Sequence, residues 1–104
     1  MIVVKVTYTV KPEFVQKNKE NINSFMIDFQ KMNTNEFHYA SYLYGDGKTF
    51  VHISHYENEE IQKQLLQVPS FLNFQKERDE SGMEVLPEIE VMTLVASSKE
   101  FFTW

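Results

Sequence analysis

Residues 37–56 read FHYASYLYGDGKTFVHISHY, two runs rich in aromatic and β-branched side chains, Phe37 to Tyr44 and Thr49 to Tyr56, around Gly45-Asp46-Gly47-Lys48. Aromatic residues pack well on a pleated surface, and Asp-Gly marks a tight hairpin because both central positions can take positive φ. The pattern predicts two antiparallel neighbouring strands. On the N-terminal side, Asn33-Thr34-Asn35 supplies turn chemistry, and before it Phe14, Ile22, Phe25, Met26, Phe29 and Met32 recur at near-helical spacing. Lys11-Pro12-Glu13 reads as a helix start, since proline has no N–H to leave unpaired at the first helical position. A helix is therefore expected over 13–32. Before it, Ile2, Val4, Val6, Tyr8 and Val10 alternate with Val3, Lys5, Thr7 and Thr9, the period of a strand with one face in the core.

On the C-terminal side, Asn58 is a suitable N-cap, followed by Glu59 and Glu60 in the first turn and by Ile61, Leu65, Leu66 and Val68 as an apolar face. Pro69 should interrupt this helix, and a second segment with Phe71, Leu72 and Phe74 should run to Ser81-Gly82. Val85 to Ala96 reads as a fourth strand, where Pro87 predicts an edge position or a bulge because it cannot donate to a ladder.

The order βαββαβ with a central hairpin predicts an α+β, ferredoxin-like domain with a four-stranded antiparallel sheet and its helices on one face. The opposite face would then be bare, with Val51, Ile53, Met92 and Leu94 on it, and a two-fold homodimer would cover it. The domain is expected over 1–98, with an aromatic tail over 99–104 in which Phe101, Phe102 and Trp104 could cross to the partner subunit.

Composition narrows the function classes. The 104 residues suffice for one core, and no stretch approaches the ~20 apolar residues of a membrane span. The N-terminus enters an alternating pattern with no basic and apolar leader, so a cytoplasmic protein without membrane attachment is expected. Cysteine is absent, which excludes disulfides, thiolate zinc sites and cysteine nucleophiles. A net charge of −5 with scattered lysines argues against nucleic acid as a partner. No serine sits in a Gly-x-Ser-x-Gly turn, and Gly45-Asp46-Gly47 precedes a strand, so it is no phosphate loop.

His52 and His55 lie three apart on one strand, on opposite faces, and cannot share a metal ion, while His38 could meet His52 only if the register allowed it. No metal site is expected. Tyr8, Tyr42, Tyr56, Phe71 and Phe74 could line a pocket between sheet and helices, gripping a flat ligand by ring contacts. The plainer alternative is that these rings fill the core. Lys76 to Glu80 reads as exposed helix surface with weak local ion pairing.

From Phe50 to Gly82, a strand ending in Tyr56-Glu57-Asn58 leads into a helix and then LLQVPSFLNFQKE at 65–77, and this stretch resembles the antibiotic-biosynthesis-monooxygenase-like family of dimeric α+β barrels. The resemblance implies a homodimer that binds a small aromatic or hydrophobic molecule. It further implies a monooxygenase that oxidises quinol-like substrates with O₂ and no cofactor, the electron coming from the deprotonated substrate. On this reading Tyr8, His52 and Tyr56 are the catalytic residues that orient the substrate, while Tyr42, Phe71, Phe74 and Gln75 bind it. Where many relatives carry histidine this chain has Leu65 and Ser70. Where the haem-degrading branch carries asparagine, tryptophan and histidine it has Thr7, Tyr56 and Gln75, which leaves haem iron no axial imidazole. The alternative function is a non-catalytic ligand-binding or interaction module.

Overall fold

The computed structural model describes residues 1–102. β1 (Ile2–Thr9) leads through a single 3₁₀ turn (Pro12–Phe14) into α1 (Val15–Lys31). β2 (Phe37–Leu43) and β3 (Thr49–Tyr56) form the hairpin, and α2 (Glu59–Leu66), α3 (Pro69–Glu80) and β4 (Val85–Met92) complete the chain of elements. The strands lie in the order β2-β3-β1-β4, all neighbours antiparallel, with the helices over one face. This is the expected ferredoxin-like α+β layout. Among the described residues no helix is long and apolar enough to cross a membrane.

Local sequence explains each boundary. In the hairpin the Gly47 N–H donates to the Tyr44 carbonyl at 3.0 Å, and only Gly47, at φ +77°, takes the left-handed conformation. Asp46 contributes through its side chain instead, its Oδ1 accepting the backbone N–H of Lys48 (3.0 Å) and of Thr49 (2.9 Å). The expectation that both central residues turn left-handed is corrected: an Asx cap closes the loop, and one glycine suffices. The Asn58 Oδ1 caps α2 by accepting from the Ile61 N–H at 3.0 Å. Val68, held extended before Pro69, separates α2 from α3, because a residue preceding proline avoids the helical region. β4 is an edge strand, and its pairing with β1 shifts register between Thr7 and Thr9, beside Pro87.

The core is largely aromatic. Phe25 of α1 is wholly buried, with ring centroids 5.0 Å from Phe29, 5.0 Å from Phe74 and 5.1 Å from Phe71, mostly edge-to-face. Burying such a ring stabilises the fold by roughly 1.5–3 kcal/mol from area alone, and edge-to-face pairs add about 0.5–1.5 kcal/mol each. Leu65 of α2 and Tyr8 of β1 are equally enclosed.

The reverse face matches expectation in part. Of the residues assigned there as surface awaiting a partner, Val51 is only 3% exposed, whereas Met92 is 39% and Leu94 37% exposed. Lys5, Thr7, Glu88 and Glu90 share this face by register, and Phe101 stacks on His55 of its own chain with centroids 4.0 Å apart. The Asn35 Nδ2 donates to the Phe102 carbonyl at 2.6 Å, which ties the tail to the loop before β2. Up to Phe102 the tail thus lies on its own sheet; Trp104 is outside the described residues. A second uncovered apolar strip lies on the helix side of β4, where Ile89 is 68% and Val91 76% exposed.

Candidate functional site

A cavity of about 250 Å³ lies between the sheet and the two short helices. A cavity of ~150 Å³ admits a benzene ring, so this one has room for a small fused ring system. Its floor is Val4 and Val6 of β1, its wall Phe71 and Phe74 of α3, and its rim Pro87 and Ile89 of β4. The polar lining comes from Tyr39, His52, Ser54 and Tyr56 of the sheet and from Gln62, Gln75 and Arg78 of the helices. Each is placed by element period: His52, Ser54 and Tyr56 alternate inward on β3, and Phe71, Phe74 and Arg78 follow the buried stripe of α3.

His52 is the centre of a buried hydrogen-bond chain. Its Nε2 is 2.8 Å from the Tyr8 hydroxyl, its Nδ1 is 2.8 Å from the Tyr39 hydroxyl, and the Asn18 Nδ2 donates to Tyr8 at 2.9 Å. Burial first, and the nearby Arg78 cation second, push the His52 pKa down to about 3, so the ring is neutral at ordinary pH. A neutral imidazole carries one N–H, hence one tyrosine donates to it and the other accepts. Tyr8 is fully buried and already accepts from Asn18, so its own proton has only Nε2 to go to. The His52 proton is then on Nδ1 and is donated to Tyr39, which frees the Tyr39 hydroxyl proton for whatever occupies the cavity. Burial raises the pKa of Tyr39 and of Tyr56, which keeps both phenols protonated as donors.

Arg78 is charged, yet only 9% exposed. Its guanidinium lies 5.1 Å from the Tyr8 ring centroid and 5.2 Å from that of Phe74, a cation–π arrangement that holds it in place. Its Nε and Nη2 both reach Asp79 Oδ1, each at 3.1 Å. The expectation that Arg78 belongs to exposed helix surface is corrected, because residue 78 continues the 71/74 stripe at helical spacing.

Of the residues expected at the site, His52, Tyr56, Phe71, Phe74 and Gln75 line the cavity. Tyr8 does not line the cavity but stands behind His52, Phe74 and Arg78, which do. Tyr42 does not come to the site: it is 54% exposed, and its register opposite Val51 turns it to the reverse face. Tyr39, three residues earlier and so on the other face, takes the place assigned to Tyr42. His38 lies opposite His55, so it does not meet His52. Sequence reasoning missed Tyr39, Asn18 and Arg78. The signal for Arg78 was its spacing from Phe71 and Phe74; for Tyr39 it was strand parity, usable once the register was known.

No protein-family model matches the chain, and no curated protein matches it. Solved structures do. A crystal structure of an antibiotic biosynthesis monooxygenase superposes with a TM-score of 0.78 at 12% identity, covering 92% of this chain and 100% of the other. Rv0793 from Mycobacterium tuberculosis gives 0.77 at 13% identity, covering 94% and 98%. A variant of SnoaB, a cofactor-independent oxygenase from Streptomyces nogalater, gives 0.71 at 14% identity, covering 95% and 97%. At such identities the likeness speaks for backbone architecture, and it agrees with the resemblance read from residues 50–82. The chain has the fold of the antibiotic biosynthesis monooxygenase structures.

Proposed function

We propose that this chain, as a homodimer, binds a small flat molecule in the cavity between sheet and helices and oxidises it with O₂ in the manner of a cofactor-independent monooxygenase. The observation that carries this reading is a cavity with a floor of Val4 and Val6 and an aromatic wall, where the Tyr39 hydroxyl and the His52 ring meet. Aromatic walls hold a quinol-like substrate by ring contact and exclude water, while Tyr39 and Tyr56 donate to its oxygens. Converting a ring methylene to a carbonyl by one O₂ releases one water and takes all four electrons from the substrate. No external reductant is required. The homodimer reading draws on the exposed apolar strip of β4, which a second copy would cover.

A second reading is binding without turnover. It is favoured by the neutrality of His52, whose pKa near 3 makes the ring a weak base for removing a substrate proton. Oxygen uptake with a panel of anthrones and naphthoquinols, run beside calorimetric binding, separates the two. Uptake that falls at least tenfold in Tyr39→Phe and in His52→Leu supports the oxygenase. Binding with no uptake supports the second reading, and no binding across the panel overturns both.

A further inference from the structure

We infer that Arg78 makes the cavity an oxyanion site: its occupant is flat and mostly apolar, and carries one negatively charged oxygen group, a carboxylate or an ionised phenol, against the guanidinium. This rests on the reading that the cavity takes a ligand, and names the charge of that ligand.

Three observations lead there. First, Arg78 is the sole charged residue lining the cavity among the described residues, and no carboxylate lines it. A cation removed from water and left to apolar walls is costly unless an anion joins it. Second, the carboxylate beside it compensates it poorly. Nε and Nη2 converge on a single oxygen of Asp79, whose side chain is 59% exposed, so much of that carboxylate's field is spent on solvent. Nη1 makes no hydrogen bond among the described residues and is not a buried, unpaired atom, so water reaches it until a ligand does. Third, the guanidinium is pre-organised. Its carbon is held 5.1 Å from the Tyr8 ring centroid and 5.2 Å from that of Phe74, and two-pronged contact along an edge is how a guanidinium reads carboxylate and phenolate oxygens.

Inside the cavity the surroundings favour an anion, and Asp79 outside it is the one carboxylate that competes for the guanidinium. His52 is neutral and its hydrogen bonds are taken by tyrosines, so it neither attracts nor repels the ligand's charge. Tyr39 and Tyr56 can donate to a second oxygen on the ligand, but a hydroxyl cannot discriminate charge as a guanidinium does. The chain as a whole carries −5 and repels anions at long range, so any preference for an anion has to originate at this one side chain.

The test uses the full chain with two probes. Calorimetry compares 2-naphthoate with its neutral isostere 2-naphthamide, in the wild type, in Arg78→Gln and in Arg78→Lys. The acid should bind at least ~10-fold more tightly than the amide, with the preference lost in Arg78→Gln and partly kept in Arg78→Lys. The second probe, 4-nitrophenol, reports its own ionisation by absorbance. Bound to the wild type it should ionise about one pH unit lower than when bound to Arg78→Gln, since a cation stabilises the phenolate. A preference in either arm identifies the matching oxyanion. Should Arg78→Gln fail to fold, the acid-to-amide ratio in the unaltered chain decides by itself. If the amide binds as well as the acid, and nitrophenol is no more ionised when bound than free, the oxyanion inference is overturned while ligand binding stands. If neither naphthalene binds, both fall.

Discussion

β3 and β4 are both eight residues long and both flank β1, yet β3 is the most enclosed strand and β4 the most exposed. On β3, Phe50, His52 and Tyr56 point toward the helices and are buried. On β4, Ile89 and Val91 point the same way and stay largely exposed. The difference is lateral: α1 and α3 pack together over β2, β3 and β1, and the sheet extends one strand beyond their cover. An apolar alternation therefore marks a surface that needs a partner without saying whether the partner is in the same chain. The cavity opens at this boundary, with Pro87 and Ile89 on its rim.

Substitutions should divide along the same boundary. Phe25→Ala, under the helix-covered half, should cost about 3–5 kcal/mol in chemical denaturation, because a buried ring among aromatic neighbours leaves a cavity that cannot collapse. A loss below ~1 kcal/mol would mean the covered half is loosely packed.

The next effect is pH-dependent. The unfolded chain protonates His52 near pH 6.5, whereas the folded chain resists protonation down to about 3. Between these values the unfolded state binds more protons, so stability should fall as pH drops from 6.5, by roughly 2–5 kcal/mol in total from this residue. Denaturation midpoints of His52→Leu should show a flatter slope across that window; an unchanged slope would place the acid sensitivity elsewhere.

On the uncovered strand, Val91→Ala should change unfolding of the dilute chain by no more than ~0.5 kcal/mol. Val91→Lys, if a second copy sits there, should raise the dimer dissociation constant about 10–100-fold in sedimentation experiments. A dimer indifferent to that lysine would move the interface to the reverse face of the sheet. Asn58→Ala at the start of α2 is expected to cost about 1 kcal/mol in the same denaturation assay for the loss of one cap.

Much of the fold was legible in local chemistry. The Asp46-Gly47 turn, the Asn58 cap, the break at Pro69 and the edge placement of Pro87 all follow from what one or two residues permit their own backbone to do. The order of elements then leaves few ways to pair the strands, so the sheet order and the one-sided helix layer were readable before any coordinates. The aromatic residues of α3 could likewise be assigned to a cavity wall, since helical spacing puts Phe71 and Phe74 on one face.

What only the tertiary structure decided is which polar side chains meet. Tyr39 and Tyr42 are chemically alike and lie three apart, so they occupy opposite faces, and the pairing of β2 with β3 chooses Tyr39. Arg78 sits in a run of charged residues that reads as surface, and its burial depends on the Tyr8 ring arriving from β1 beside Phe74 of its own helix. Asn18 gains its role through contact with a tyrosine ten residues away on β1. The physical reason is range: backbone preference is set within a few residues of the chain, whereas a hydrogen bond or a buried charge is worth something only when a partner arrives from far along it.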